Sequence, residues 1–336
     1  MLKRLMPTLL LVLLAPTLRA DDQPQAVNLL ALGDPAGNTP ERAQITKELN
    51  DYCRHTPRTF NGIVMLGDIF NMTLSGPNDP LINKLFEQAY DPSAMRFLFY
   101  IAMGNHDYEQ GKAPYELAYG RLHPQSRWTL PSNYYRVELP PDKPLVTMLV
   151  LDSNRQALSE AQWNAELAWI QYELAQPHAP WLICAAHHTI FSNGAHGDNG
   201  VLQTQWGELF KKHHVDFYLC GHDHTMQHLE IPDWPLSFVV SGGGGGGRRQ
   251  MLRDNRGPFS RSTLGFADLH FDADTAVVRL LDEKGEAMHI FSRERVSGKT
   301  TTLANSYSDK ATTQPLRTIV GLPDKPTAKP TTAPAK

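Results

Sequence analysis

The chain predicts an α/β (mixed α+β) fold: two packed β-sheets with helices outside. Three observations carry this. The first half alternates strand and helix signals. The later part is a series of short strands with few helices. Five apolar runs each end in a small polar fragment built from Gly, Ala, Asp, Asn and His. A βαβ start followed by a meander suits two sheets packed together. Polar fragments beyond strand ends suit a ligand site, because ligands gather outside the carboxyl ends of strands in α/β sheets.

The elements follow in order. Lys3 and Arg4 precede the apolar run 5–14, and Leu18-Arg19-Ala20 offers a cleavage residue before Asp21-Asp22. Residues 1–20 have the form of a secretory signal peptide. The run is shorter than the roughly 20 residues of a spanning helix. The mature chain is therefore expected in the periplasm or outside the cell, with no membrane span. Cleavage after Ala20 removes three positive charges and takes the formal charge from −3 to −6. No nucleic-acid binding is expected from such a surface, since nucleic-acid binders are usually basic.

Residues 21–296 read as one domain. The run 27–32 is a strand ending in Gly33-Asp34. Thr39-Pro40-Glu41 opens a helix: Thr caps, Pro is tolerated at the first position and Glu suits the positive end. Ala43, Leu49 and Cys53 are its expected inner stripe. The run 63–66 ends in Gly67-Asp68. Residues 80–90 are helical, with Leu81, Leu85 and Ala89 four apart. The run 97–103 ends in Gly104-Asn105-His106-Asp107. Residues 159–175 form a longer helix, with Ser159 and Gln162 as a capping box. Runs 181–185 and 217–220 end in Ala186-His187-His188 and Gly221-His222-Asp223-His224, and 202–213 is helical. Residues 236–240, 265–271, 276–281 and 287–291 are short strands. Residues 297–336 turn to Thr, Pro, Lys and Ala, and this tail is expected to be disordered. Cys184 and Cys220 read as buried small hydrophobes, and a bond between them would need neighbouring strands at a short Cα separation.

Asp, Asn and neutral His together are ligands for cations, oxygens suiting harder ions and imidazole suiting Zn and Fe. A carboxylate can bridge two metals roughly 3.5–4 Å apart, a pair able to activate water and clamp a phosphoryl group. Gly before each ligand is expected to let the backbone turn sharply. Each fragment alone is weak. All of them in this order, each after a strand, point to one shared metal site.

The order GD…GD…GNHD…H…GHDH resembles the calcineurin-like metallophosphoesterases, and within them the small, single-domain purple acid phosphatases. The resemblance runs from about 27 to 293 and implies the family's four-layer αββα sandwich. It also implies two bound metal ions, drawn from Fe, Zn or Mn, and hydrolysis of a small phosphorylated substrate. It implies that Asp68 bridges the metals, that Asn105, His187 and His222 complete the second-metal site, and that Asp34 and His224 bind the first metal. His106 and His196 would be the catalytic pair near the phosphate, stabilising charge or protonating the leaving alkoxide. Asp107 and Asp223 are expected to orient imidazoles rather than bind metal. His188 follows a ligand position and is a weaker candidate for touching substrate.

Two departures mark the chain. Purple acid phosphatases carry Gly-Asp-Asn-Phe-Tyr at the second motif, where the Tyr binds ferric iron. Here Gly67-Asp68-Ile69-Phe70-Asn71 places Asn71 at that position. Other members bind the first metal through Asp-x-His at the first motif, where this chain has Asp34-Pro35-Ala36. Asn71 is left as the candidate ligand, through a neutral amide that donates less charge than a phenolate. A non-purple protein with a weaker or divalent first metal is expected. An exported phosphate-monoester phosphatase is the leading reading. Its rivals are a phosphodiesterase or nucleotidase on the same site, and a non-catalytic metal-binding relative.

Residues 242–247 are six consecutive glycines. They either pass very close to the metals or substrate, where side chains would not fit, or form a loose surface connection. Arg248, Arg249, Arg253, Arg256 and Arg261 follow. They suit phosphate oxygens, although a solvated loop face is the commoner meaning of such a run.

Overall fold

The structure is a computed structural model that describes residues 25–253 and 256–305. The expected signal peptide and residues 306–336 of the expected tail lie outside the described residues. The strands, in chain order, are β1 (Val27–Leu32), β2 (Gly62–Leu66), β3 (Leu98–Ala102), β4 (Trp128–Thr129), β5 (Tyr135–Leu139), β6 (Val146–Val150), β7 (Trp181–Ala185), β8 (Phe217–Cys220), β9 (Met226–Leu229), β10 (Ser237–Ser241), β11 (Phe259–Arg261), β12 (Gly265–Phe271), β13 (Thr275–Asp282), β14 (Ala287–Glu294) and β15 (Thr300–Asn305).

They form two mixed sheets. One runs β15-β14-β13-β12-β1-β2-β3-β4 and the other β11-β9-β10-β8-β7-β6-β5. β1 to β4 are parallel to one another, and so are β6, β7, β8 and β10. These central strands are mostly apolar because both faces are covered. Alternation along the second sheet shows the two faces. Met148, Ile183, Ala185, Phe217 and Leu219 join the core shared with the first sheet. Leu149, Leu182, Cys184, Tyr218 and Cys220 join a separate core under the helices that carry Trp163, Ile170, Trp206 and Phe210.

The helices are α1 (Pro40–His55), α2 (Pro80–Ile82), α3 (Asn105–Tyr108), α4 (Ala113–Leu122), α5 (Glu160–Leu174), α6 (Gly200–Gln205) and α7 (Gly207–Lys212). α1 starts as its sequence dictates, with Thr39 accepting from the Arg42 N–H. Its inner stripe matches expectation at Leu49, which is buried, and at Cys53, which packs half-buried against the core, but Ala43 is exposed, and Ile45, Tyr52 and Arg42 are buried in addition. The Arg42 guanidinium makes this tolerable: it donates to the carbonyls of Ala36, Ile69 and Leu85 at 2.8–2.9 Å.

The segment after Pro80 is not one α-helix. α2 passes into a π-helical turn, Asn83–Glu87, whose extra residue rotates the buried face toward Ile82, Phe86 and Tyr90. The 202–213 helix is likewise broken at Trp206, which stacks on Trp163 at 5.5 Å between centroids. The domain extends past 296: Thr300-Thr301-Thr302, β-branched and suited to a strand, begins β15 on the edge of the first sheet. All three cysteines are free, and Cys184 pairs in register with Tyr218, not Cys220. Among the described residues no helix is long and apolar enough to cross a membrane.

Carboxyl ends of parallel strands from both sheets meet at one edge. Ser241, closing β10, ties them: its carbonyl accepts the Gly33 N–H at 2.7 Å and its hydroxyl donates to Ala31 at 2.8 Å.

Candidate metal centre

The loops after β1, β2 and β8 deliver Asp34, Asp68 and His222, and each of these residues has positive φ (58°, 55° and 66°). The sharp turn therefore falls on the ligand candidate itself. Of the preceding glycines only Gly67 shares it. Gly33 and Gly221 are needed for space instead. A Cβ on Gly33 would stand 2.9 Å from the Gly221 Cα, and one on Gly221 would stand 2.5 Å from Asp34 Oδ2. The glycines let two loops from different sheets touch.

Asp107 is buried and binds no imidazole. Its carboxylate accepts backbone N–H groups of Asp68, Ile69 and Gly104 at 2.8 Å and of Phe70 at 3.2 Å. Asp223 does the same on the other sheet, accepting the Ser192 hydroxyl and the His196 N–H. The expectation that these two orient imidazoles is thus corrected: Asp107 fixes the Asp68 loop, and Asp223 fixes the loop that carries His196.

Two groups of side chains converge between these loops. In the first, ligand atoms of Asp34, Asp68 and His224 lie within 4.8 Å of one another. Asp34 Oδ2 accepts the His222 N–H at 2.8 Å, and Oδ1 lies 3.4 Å from His224 Nε2. In the second, His187 Nε2 lies 3.0 Å from Asn105 Oδ1, 3.1 Å from His222 Nδ1 and 3.4 Å from Asp68 Oδ1. Its Nδ1–H donates to the Leu66 carbonyl at 2.8 Å, which leaves Nε2 bare. Asp68 belongs to the geometry of both groups. His106 and His196 stand at the periphery. His106 Nε2 is 3.8 Å from Asp68 Oδ2, and its Nδ1 is 3.0 Å from the Glu109 carboxylate. The exposed His196 ring lies 4.1 Å from that of His222.

Burial sets the electrostatics. Desolvation, with repulsion from Asp107, pushes Asp68 up to about 7, and desolvation with Asp68 raises Asp34 well above the carboxylate range. Burial, with repulsion from His188, holds His187 well below the usual imidazole value, and burial with repulsion from His187 and His188 does the same to His222. Burial and Arg249 bring His224 to about 4. Asp34 Oδ1 is buried with no hydrogen-bond partner. Crowded neutral imidazoles facing destabilised carboxylates fit a cation, whose charge reverses these pressures on the carboxylates.

Asn71 is exposed, and no hydrogen bond or ion pair ties it to either group. Ala36 is buried, and the glycine run fills the space beside it. The N–H groups of Gly244 and Gly246 donate to the Gly33 and Asp34 carbonyls at 2.9 and 2.7 Å. A Cβ on Gly246 would stand 2.9 Å from the Ala36 Cβ and 3.1 Å from His224 Cε1. The run is thus a close strap over the Asp34 loop. Of the arginines, Arg256 is bound to Asp198 and Asn193, while Arg249 acts electrostatically on His196 and His224. Sequence reasoning missed Asp152-Ser153-Asn154 beyond β6. Ser153 Oγ lies 2.9 Å from His188 Nδ1, and Asn154 donates to the Met103 carbonyl at 2.8 Å. The apolar run 145–151 ending in polar residues carried the same signal as the others, without the glycine.

The fold and this cluster define a metallohydrolase scaffold of two packed mixed sheets. The chain belongs to the calcineurin-like phosphoesterase family, whose match covers residues 27–226, more than half of it. Tartrate-resistant acid phosphatase type 5 of Sus scrofa is 28% identical over 233 residues, spanning 64% of this chain and 66% of that protein. Purple acid phosphatase 17 of Arabidopsis thaliana is 28% identical over 258 residues, 68% of this chain and 72% of that one. Among solved structures, GAP50, described as the anchor in the inner membrane complex of Plasmodium, superposes with a TM-score of 0.66 at 21% identity, covering 93% of this chain and 99% of GAP50.

Proposed function

We propose that the protein is an exported, metal-dependent phosphatase of phosphate monoesters. A fold shared with an anchor protein does not decide catalysis, so the site must. The observation that carries the reading is the convergence of Asp34, Asp68 and His224 with Asn105, His187 and His222, around a buried carboxylate oxygen that no protein group satisfies. Asp34 and His224 would hold one cation, Asn105, His187 and His222 the other, with Asp68 between. When bound, two such ions activate water and neutralise phosphoryl oxygens.

The chain's own residues do the rest. Asp107 and Asp223 fix the loops before substrate arrives. Water attacks phosphorus in line, so one P–O bond forms as the ester P–O bond breaks. His106, oriented by Glu109, and the exposed His196 stabilise the charge that builds and supply the proton to the leaving alkoxide. A cleft of about 630 Å³ is lined by Asn105, Ser153, Asn154, Arg155, His188 and His222, and is large enough for a small leaving group. Export rests on residues 1–20.

A second reading is a metal-binding protein without turnover. Ala36 and the exposed Asn71, which leave the first cation short of one ligand, favour it. The deciding assay counts bound metals and follows p-nitrophenyl phosphate and bis-p-nitrophenyl phosphate with added Mn, Zn or Fe. Monoester turnover is expected, reduced at least about 100-fold in Asn105→Ala. Preference for the diester would move the reading to a phosphodiesterase. A folded, metal-loaded protein inert on both esters would establish the second reading.

A further inference from the structure

We propose that His188 is a metal ligand, so that His187, His188 and His222 form a three-imidazole site for a divalent cation of the Zn²⁺ type. The proposal rests on the metal-binding reading above and adds a residue to it. One ring nitrogen from each of the three histidines lies within 4.8 Å of the others. Ring centroids are 4.4 Å apart for His188 and His222, and 4.9 Å for His187 with either one.

The ring of His188 is held for this purpose. Ser153 is buried and accepts the His188 backbone N–H at 2.9 Å, while its Oγ also lies 2.9 Å from His188 Nδ1. Ligation takes the tautomer in which Nδ1–H donates to Ser153 Oγ, which leaves Nε2 as a bare lone pair. His187 is arranged in parallel fashion, its Nδ1–H fixed on the Leu66 carbonyl. A protein group on the far nitrogen is how metal-ligating histidines are oriented. Three imidazoles brought this close, with one ring nitrogen of each within 4.8 Å of the others, suit a cation shared among them. Adding one imidazole to Asn105 and Asp68 makes the set softer, which selects Zn²⁺ or Co²⁺ over Mg²⁺ or Ca²⁺.

The test uses the full chain stripped of metal and titrated with Zn²⁺ or Co²⁺ against a chromophoric chelator. His188→Ala is expected to weaken one equivalent by about 100-fold and to change the visible Co²⁺ spectrum; Ser153→Ala weakens it about 10-fold or more. X-ray absorption on the parent protein with one equivalent of Zn²⁺ should count three imidazoles, a readout that survives if His188→Ala does not fold. Zn²⁺ affinity within threefold of the parent in folded His188→Ala, or a count of two imidazoles, overturns the proposal. His187→Ala separates the two failures. If it loses the ion while His188→Ala keeps it, only His188 ligation falls; if both keep it, the metal-binding reading falls as well.

Discussion

Asp34, Asp68 and His222 hold left-handed backbone conformations, a strain of order 1 kcal/mol each. Their identities and positions were legible because Asp and His directly after an apolar run are conspicuous. Their backbone strain was not, since each preceding glycine looked like the residue that would turn. The roles of Asp107 and Asp223 were also hidden. A carboxylate beside an imidazole in sequence says nothing about which N–H groups fold around it. A second histidine group was equally silent. His228 on β9 donates Nε2–H to Glu230 at 2.7 Å, and its Nδ1 lies 2.9 Å from His289 Nε2 on β14. Burial, then repulsion from His228, pushes His289 down to about 3; burial outweighs Glu230 to lower His228 as well. With folded values below the unfolded value of about 6.5, the unfolded chain binds more protons in that window. Stability contributed by His289 is therefore intact above about pH 6.5 and is lost as pH falls toward 3, at up to about 1.4 kcal/mol per pH unit, and His228 acts in the same direction. Urea unfolding of His289→Gln against the parent should give a shallower pH dependence between pH 4 and 6. An unchanged slope would show that this pair does not set it.

Strands 27–32, 181–185 and 217–220 were legible to the residue because a largely apolar run bounded by polar fragments leaves little choice of end, and 265–271 because its apolar residues alternate with Asp268 and His270. Helical segments were less so. The π turn at Asn83–Glu87 and the break at Trp206 come from tertiary packing of Phe86, Tyr90 and Trp206, which no local pattern encodes. β9 was missed because Gln227 and His228 are polar yet buried in hydrogen bonds. α1 carries the most consequential surprise. Arg42 joins the carbonyls of Ala36, Ile69 and Leu85, linking the Asp34 loop, the Asp68 loop and the π turn. Arg42→Met fills similar volume but orphans three carbonyls, and should cost about 3–5 kcal/mol. Denaturant titration measures it; a cost under about 1 kcal/mol would mean that water replaces the guanidinium.

The two-sheet architecture was legible as a class, from βαβ followed by meander. Strand order was not: β10 lies between β8 and β9, and the first sheet closes with strands from the far end of the chain. The candidate centre joins both sheets, Asp34, Asp68 and Asn105 from one and His187, His222 and His224 from the other. A ligand that binds only the folded state stabilises it, by about 4 kcal/mol at a thousand times its Kd. Chelation should therefore lower the melting temperature of the protein, and added Zn²⁺ or Mn²⁺ should restore it. A chelator-insensitive melt would mean that the sheets do not share an ion. The glycine strap, finally, bears on how this site can change. Ala36→His would restore the Asp-x-His motif in sequence, but the imidazole would have to enter the space beside Ala36 that Gly246 fills. That variant alone is expected to leave the number of bound metals unchanged, and a gain of one equivalent would refute this. Placing a ligand at position 36 therefore calls for a matching change in the glycine strap that fills the space beside it.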